Sequence, residues 1–354
     1  MTQNQSQQPL LTVEHLSKFF PVVSGFMRKV QGTVRAVDDV SFTIRAGETL
    51  GMVGESGCGK STIGKTILRA YELTGGVVRY RFDDEEMDVS SLSMKHLRAS
   101  GFRSRTQMIF QDPNSSLDPR MTVMDIIAEP IRTNLRVPEA EMKERVLELM
   151  ARVGLDKRYL KRYPHAFSGG QRQRISIARA LSTNPKFVVA DEPTSALDVS
   201  IQAQILNLMQ DLQREFALTY LFVSHNLGVV RHIADRVAVM YLGHLVELAD
   251  NAEIFVNPLH PYTEALMKAV PIADPTIPSG LESAPGEIGN PLNPPTGCRF
   301  HPRCAFAVPR CAEEVPELRD LGSGHFAACH RAEDLTLEGI RKRNEAIRKG
   351  HKGS

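Results

Sequence analysis

The nonapeptide "GESGCGKST", residues 54–62, decides the fold of this chain. It fits the pattern G-x-x-x-x-G-K-[ST] and lies between the apolar stretch "ETLGMVG" and a segment with a helical pattern. Glycines in such a loop let backbone N–H groups turn towards phosphate oxygens, and the following helix adds its positive N-terminal end. Lys60 is predicted to reach the β- and γ-phosphates of a nucleotide, and the Ser61 hydroxyl to bind Mg²⁺.

The stretch "KFVVADEP" predicts the second half of the same site. It is an apolar strand that ends in two acids, Asp191 and Glu192. The first carboxylate is suited to organise Mg²⁺ and its waters, and the second to polarise an attacking water. With the phosphate loop, this strand end indicates a nucleoside triphosphatase.

Buried strands and helices alternate around these motifs. Helical "ISIARALSTN", strand "KFVVADE", helical "SIQAQILNLMQDLQREF", strand "TYLFVSH", helical "NLGVVRHIA" and the strand pair "RVAVMYLGHLVEL" follow one another. This order predicts a parallel sheet covered on both faces. Residues 11–53 alternate as strands do, and residues 112–165 carry helical patterns punctuated by prolines, which predicts a helical insert.

Composition limits the classes of function. The chain has 354 residues, 42% of them hydrophobic, and 43 basic against 41 acidic side chains leave a net charge of +2. A general basic field for nucleic acid is therefore absent. The first ten residues lack an apolar run of signal-peptide length, and no window approaches 18 consecutive apolar residues. We therefore expect a cytoplasmic chain that acts at a membrane only through a partner.

Further motifs, in order, make the chain resemble the ATP-binding cassette (ABC) family. "SGGQ" (168–171) looks like the family signature, Gln111 in "MIFQDP" like its Q-loop glutamine, and "SALD" (195–198) like its D-loop. His225 in "LFVSH" falls at the place of the switch histidine. Phe20, or its neighbour Phe19, follows the first strand where the family stacks an aromatic ring on adenine.

The resemblance implies a P-loop ABC ATPase domain of the α/β class, with a mixed-sheet core, an antiparallel β subdomain and a helical subdomain. It implies ATP and Mg²⁺ as cofactors, Ser61, Gln111 and Asp191 as Mg²⁺ ligands, and a signature that closes over ATP bound to a second subunit. The residues so implicated in catalysis are Lys60, Gln111, Glu192 and His225. Those implicated in ATP binding are Phe20, Gly54, Glu55, Ser56, Gly57, Cys58, Gly59, Lys60, Ser61 and Thr62, and in trans Ser168, Gly169, Gly170, Gln171 and Asp198.

Sequence outside the shared motifs narrows the resemblance to ATPase subunits of oligopeptide and dipeptide importers. It is carried by "FQDPNSSLDPRMTV", "LVELADNAEIFVNPLHPYTEALMKAVP" and "PGEIGNPLNPPTGCRFHPRC". This implies a second ATPase chain, which the subfamily precedent favours as a distinct one, two transmembrane permease chains and an external solute-binding protein, with the chain peripheral on the cytoplasmic face of the cell membrane. Related importers carry oligosaccharides, opines, glutathione or nickel, and a soluble ABC ATPase acting on DNA or ribosomes is the other alternative.

The expected division of the chain follows the motifs and the composition. Residues 1–9 are a disordered leader, and 10–257 form the ATPase domain with a helical subdomain at about 112–168. The remainder comprises a C-terminal importer-type tail (258–335) and a basic helix or tail (336–354).

Four of the five cysteines fall in that tail. A cytoplasmic setting favours metal ligation over disulfides. Their spacing lacks the Cys-x-x-Cys pair usual in structural zinc sites, whereas [4Fe–4S] clusters accept varied spacing. The importer tail that this one resembles is associated with such a cluster. We therefore expect a small cysteine-cluster domain holding [4Fe–4S], with Zn²⁺ or unligated thiols as alternatives, through Cys298, Cys304, Cys311 and Cys329.

Overall fold

The computed structural model describes residues 8–24, 29–83, 85–269, 286–287 and 289–339. The leader prediction for residues 1–7 and the basic-helix prediction for residues 340–354 lie outside these ranges. The strands are β1 (Pro9–Ser24), β2 (Lys29–Arg45), β3 (Thr49–Val53), β4 (Gly75–Phe82), β5 (Glu85–Asp88), β6 (Thr106–Ile109), β7 (Phe187–Asp191), β8 (Thr219–Ser224), β9 (Arg236–Tyr241), β10 (His244–Asp250), β11 (Arg319–Asp320) and β12 (Phe326–Ala327).

Twelve α-helices occur in the described ranges, with three short 3₁₀ helices at Lys157–Tyr159, Pro164–Ala166 and His301–Arg303. The α-helices are α1 (Lys60–Ile67), α2 (Met94–Ala99), α3 (Phe102–Arg105), α4 (Pro113–Ser116), α5 (Val123–Asn134), α6 (Glu139–Arg152), α7 (Gly169–Leu181), α8 (Val199–Phe216), α9 (Leu227–Ile233), α10 (Asn251–Ile254), α11 (Pro261–Lys268) and α12 (Pro309–Glu313). Within these ranges, no helix combines the length and the apolar composition that crossing a membrane requires.

The main sheet has the strand order β11-β12-β10-β9-β3-β8-β7-β6. Strands β9, β3, β8, β7 and β6 run parallel, and β10 turns back antiparallel to β9. The middle strands β3, β7, β8 and β9 are buried along their whole length, as their continuous apolar runs predict. The register aligns Val53 with Ser224, and Asp191 with Val223, so the ends of these strands meet at one edge.

A second, antiparallel sheet has the order β2-β1-β4-β5. Its inward side chains, among them Leu11, Val13 and Ile44, share a hydrophobic core with Ile63 and Ile67 of α1. That core fixes α1 between the two sheets. The phosphate loop, which ends where α1 begins, is thereby held against both of them.

Helices α5 and α6 pack with α7 beside the main sheet. Ile126, Ile127 and Ile131 of α5 and Val146 and Met150 of α6 recur at helical spacing and are buried in the large core. Thr122 caps α5 by accepting a hydrogen bond from the Asp125 backbone N–H (3.2 Å). The segment before the signature is therefore a packed helical unit.

The C-terminal region extends the main sheet instead of standing apart from it. Strand β12 pairs with β10, with Glu247 opposite Ala327 and Leu248 opposite Phe326. The fully buried Glu247 carboxylate accepts hydrogen bonds from the backbone N–H groups of Leu259 (2.7 Å) and His260 (3.0 Å), and lies 2.7 Å from His325 Nε2. A buried carboxylate with three partners holds this region to the sheet.

Candidate nucleotide site

The phosphate loop follows β3 and depends on glycine at two positions. Gly54 and Gly59 have φ angles of 153° and 109°. A Cβ atom would lie 2.1 Å from the Met240 carbonyl oxygen at Gly54 and 2.0 Å from that of Ala36 at Gly59. Gly57 also has positive φ (80°), but open space surrounds its Cβ position. The backbone can therefore adopt this loop only with the glycines that the motif supplies.

Lys60 lies at the first position of α1 and is folded into the loop. Its Nζ donates hydrogen bonds to the carbonyl oxygens of Gly54 (2.7 Å) and Glu55 (2.9 Å), and the side chain is buried. The buried Cys58 fills the space below, with its Sγ 3.7 Å from Lys60 Nζ, and burial raises the pKa of its thiol. This places a cation inside a ring of backbone groups, where a phosphate chain would bind.

Ser61 and Asp191 bring two oxygen ligands together. The Ser61 hydroxyl donates a 2.7 Å hydrogen bond to Asp191 Oδ1. Burial raises the pKa of Asp191, and the hydrogen bond from Ser61 opposes that effect in part. A hydroxyl beside a carboxylate is the hard-oxygen donor set that Mg²⁺ prefers, so the residues present fit this ion.

The Glu192 carboxylate joins two residues from other strand ends. Gln111 Nε2 donates to Glu192 Oε2 (2.9 Å), and His225 Nδ1 lies 3.0 Å from Glu192 Oε1. The Glu192 backbone has a φ of 44°, which is uncommon for a residue with a Cβ, and its N–H donates to the Val223 carbonyl (2.9 Å). Three residues that the sequence predicted for catalysis therefore meet through one carboxylate.

The signature residues lie on the surface at the start of α7. The Ser168 hydroxyl accepts from the Gln171 backbone N–H (3.3 Å), and the Gln171 side chain accepts from the Ser168 N–H (3.1 Å). This capping box fixes the helix start. Ser168, Gly169 and Asp198 are exposed, and Gly170 is half-buried with Ile201 against it. Their predicted contacts with ATP involve a second subunit.

The two candidate adenine-stacking rings face different neighbours. Phe20 packs edge-on against Tyr71 with centroids 5.4 Å apart, and Lys18 Nζ lies 4.8 Å above its ring. The Arg35 guanidinium lies 5.7 Å from the Phe19 ring. Both rings are half-buried. The assignment of Phe20 to adenine therefore stays a prediction.

Sequence reasoning missed two residues that contact the phosphate loop from the C-terminal region. The Tyr262 hydroxyl accepts a hydrogen bond from the Glu55 backbone N–H (2.9 Å), and the Arg303 guanidinium pairs with the Glu55 carboxylate. The sequence signal for these contacts was Glu55 itself, a charged residue at a variable position of the loop. The sequence offers many arginines as its partner and no means of choosing among them.

Comparison with known proteins agrees with this geometry. The family model described as "ABC transporter" matches residues 37–195, and the model "Oligopeptide/dipeptide transporter, C-terminal region" matches residues 246–311. A solved dimer of the ATP-binding cassette MJ0796 in a post-hydrolysis state with ADP and Pi superposes with a TM-score of 0.59 at 28% identity, covering 68% of this chain and 98% of that one. The fold and the site therefore define an ABC ATPase, and the predicted P-loop fold with a mixed sheet is confirmed.

Two relatives from Bacillus subtilis (strain 168) narrow the class. The oligopeptide transport ATP-binding protein AppF is 52% identical over 327 residues, which cover 92% of this chain and 98% of the relative. The putative oligopeptide transport ATP-binding protein YkfD is 50% identical, covering 91% of this chain and 95% of the relative. The chain belongs to the oligopeptide-transporter group of ABC transporter ATP-binding proteins.

The prediction of an iron–sulfur cluster is wrong. The four C-terminal cysteines do line one cavity, but its volume is only about 20 Å³. No group of three or more His, Cys, Asp or Glu side chains in the described part of the chain is arranged to hold a metal ion. Burial raises the pKa of the Cys298 and Cys329 thiols to about 11 and raises that of Cys304, which favours the protonated thiol over the thiolate that binds metals.

Proposed function

We propose that this chain hydrolyses ATP at the loop of residues 54–62 and uses the energy to power import of oligopeptides or dipeptides. The observation that carries the proposal is the Glu192 carboxylate, held between Gln111 and His225 beside the Ser61–Asp191 pair. The names of AppF and YkfD supply the transported class. These relatives act in transport, so a DNA- or ribosome-associated ATPase is not favoured.

The residues of the site have separate roles in the proposed reaction. Lys60 and the loop N–H groups bind the β- and γ-phosphates, and Glu192 accepts a proton from the attacking water. His225 and Gln111 orient the Glu192 carboxylate towards that water. Mg²⁺, held by Ser61, Asp191 and Gln111, would neutralise the charge that develops on the phosphate oxygens.

A second ATPase subunit completes each site in this proposal. Ser168, Gly169, Gly170 and Gln171 stand exposed or half-buried at a helix N-terminus, where the backbone N–H groups of Gly169 and Gly170 suit an oxyanion. Closing this surface, with Asp198, over ATP on a partner subunit would exclude water and permit hydrolysis. A single chain would hydrolyse ATP slowly.

Permease subunits are the partners that transmit closure to the membrane. A groove of about 780 Å³ lies between the ATPase core and α5, and its wall includes Phe110, with 40% of its surface exposed next to Gln111. A permease segment docked there would sense movement of Gln111. We propose a complex of two permeases, a second and distinct ATPase chain and an external binding protein, with this chain on the cytoplasmic face of the membrane.

We also propose the division of the chain that the sequence suggests. Residues 10–257 would carry ATP hydrolysis, with a helical subdomain at about 112–168. Residues 258–335 would form the small importer-type accessory unit around the four cysteines. Its packing against β10 supports a structural role.

Peptide uptake in cells tests the function directly. Deleting the gene should abolish accumulation of a labelled oligopeptide, and the wild-type gene should restore it, whereas Lys60→Ala should not. ATPase activity of the purified chain should rise when the permease complex is added. Normal peptide uptake in the deletion strain, with ATPase activity indifferent to permeases, would contradict the proposal.

A further inference from the structure

Glu55 places a carboxylate within the loop that is to receive a polyanion. It follows Gly54 directly, and its side chain is 22% exposed. Like charges at such short range repel strongly wherever water is partly excluded. An unpaired carboxylate at this position would therefore oppose binding of ATP.

Arg303, from the C-terminal region, neutralises the charge of Glu55. Its guanidinium binds the Glu55 carboxylate through two hydrogen bonds, Nη1 to Oε2 (2.8 Å) and Nη2 to Oε1 (3.0 Å). The Arg303 side chain is only 4% exposed. Burial lowers the pKa of Arg303, but its bonds to Glu55 and Tyr241 outweigh burial and raise it overall, so the guanidinium stays charged. A bidentate pair of this kind has one strongly preferred geometry.

Aromatic side chains fix Arg303 in position. The rings of Tyr241 and Phe300 each lie 5.8 Å from its guanidinium carbon. Phe300 packs edge-on against Tyr241 and at a tilt against Tyr262, with centroids 5.3 Å away in each case. The arginine therefore reaches the phosphate loop from a rigid aromatic platform and loses little freedom in pairing.

The Glu55 backbone is held independently of its side chain. Its N–H donates to the Tyr262 hydroxyl (2.9 Å), and its carbonyl accepts from Lys60 Nζ (2.9 Å). Removing the carboxylate would leave both bonds in place. The ion pair between Arg303 and Glu55 is therefore not needed to shape the loop backbone, and its distinct contribution is electrostatic.

We propose that Arg303 is a positioning residue for ATP binding, which neutralises Glu55 and turns its carboxylate away from the bound triphosphate. The inference rests on the proposed ATP site. It assigns the C-terminal region a direct part in nucleotide affinity. Effects on affinity should appear in the KM for ATP, and kcat should change little, because Glu192 is not involved.

Three variants of the full-length chain separate neutralisation from simple anchoring. We expect Arg303→Gln to raise the dissociation constant for a fluorescent Mg-ATP analogue about tenfold, because a carboxylate is left unpaired. Glu55→Gln should bind at least as tightly as wild type. The double variant Arg303→Gln/Glu55→Gln should return to within about threefold of wild type, because no unpaired carboxylate remains.

Arg299→Gln is the matched control. Arg299 comes from the same segment, has a side chain that is only 9% exposed, and pairs with Asp38, which lies outside the phosphate loop. Its loss should leave nucleotide affinity near wild type. Thermal melting of each variant verifies folding.

Three results would overturn the inference: unchanged affinity in Arg303→Gln, no rescue in the double variant, or an equal loss in Arg299→Gln. The last two would mean that the arginine only anchors the C-terminal region. Failure of the wild-type chain itself to bind nucleotide would instead overturn the proposed function.

Discussion

The ATP site and the four-cysteine cavity are both built from residues far apart in sequence, yet only one of them has the character of a reactive centre. At the ATP site, Ser61 donates a hydrogen bond to Asp191 and Gln111 donates one to Glu192, at the edge where the carboxyl ends of the strands meet. In the cavity, four thiols enclose about 20 Å³ beside aromatic and proline side chains. Polar contacts among groups that can bind a ligand or accept a proton mark the ATP site as a reactive centre, and clustering of one residue type is not sufficient.

The phosphate loop and the four cysteines also differ in how much structure their sequence patterns specify. The phosphate loop carries its own backbone geometry, since Gly54 and Gly59 permit φ angles and close contacts that no other residue allows. Cysteine spacing carries no such geometry. It leaves open whether the sulfurs bind a metal or simply fill space, and the surroundings decide this.

The largest effect should come from the carboxylate at the centre of the ATP site. Glu192→Gln should lower ATP turnover about 100- to 10,000-fold, because the amide cannot accept the proton of the attacking water. Nucleotide binding should persist, and the variant should accumulate as a closed dimer with its partner ATPase. Phosphate release and gel filtration measure the two effects. Asp211→Asn, an exposed acid on α8, is the control and should behave as wild type; turnover in Glu192→Gln equal to that control would rule out Glu192 as the base.

Backbone geometry of the phosphate loop should produce the next largest effect. Gly59→Ala would force a Cβ against the Ala36 carbonyl oxygen, and we expect ATP affinity to fall at least about tenfold. Gly57→Ala is the matched control, because it has positive φ but open space, so strain of about 1 kcal/mol is its only penalty. Titration with the fluorescent nucleotide compares them. Equal losses would show that positive φ, and not the close contact, dominates.

In the C-terminal region, lowering the pH should reduce the free energy of unfolding, because His260 is buried there in its neutral form. Burial lowers the pKa of His260 to about 3, so its native form is neutral while the unfolded chain gains a proton below pH 6.5. Stability contributed by the neutral ring is therefore complete above pH 6.5 and falls by up to about 1.4 kcal/mol per pH unit towards pH 3.

His260→Asn tests this effect, because asparagine can also cap α11, where His260 Nδ1 accepts from the Tyr262 N–H (3.0 Å). Urea unfolding at a series of pH values should give a shallower acid slope for the variant than for wild type. Glu247, which bonds the His260 N–H, and His325 are unchanged in the variant, so the comparison isolates the side chain at position 260. Parallel slopes would contradict the prediction.

The smallest effect on activity should come from the cavity. Replacing Cys298, Cys304, Cys311 and Cys329 together by alanine should keep ATP turnover within about twofold, while each removed sulfur costs about 1 kcal/mol of unfolding free energy. Cys58→Ala makes the same substitution at the ATP site, because Cys58 lies beneath the phosphate loop. It should impair nucleotide binding more than the quadruple variant does. A quadruple variant that folds but loses its ATPase activity would contradict the conclusion that the cavity, unlike the ATP site, is not a reactive centre.

Sequence alone predicted the P-loop fold class, and several side chains that it selected for the ATP site lie close together in the structure, while their roles stay predictions. Apolar runs such as "KFVVAD" favour buried strands, and because the carboxyl ends of parallel strands meet at one edge, Asp191, Glu192 and His225 are expected near the phosphate loop. The motif spacing fixed Lys60 and Ser61. These residues could be selected from the sequence because each choice depends on local pattern or on sheet topology.

Contacts between distant loops could not be predicted in the same way. Nothing in "HPRC" indicates that Arg303 reaches Glu55, and nothing in "GHFAA" indicates that Phe326 and Ala327 continue the main sheet beyond β10. The cysteine prediction failed for a related reason. Thiol ionisation depends on burial, and burial of Cys298 and Cys329 arises from packing that the spacing does not encode.

The pairing of Glu55 with Arg303 also bears on the order in which the chain matures. The two residues are 248 positions apart. At a synthesis rate of about 5 to 20 residues per second, Arg303 is added roughly 12 to 50 seconds after Glu55. During that interval, the Glu55 carboxylate has no Arg303 with which to pair. A chain released early would contain the complete Gly54–Thr62 motif and still lack the residue that makes its charge compatible with a nucleotide.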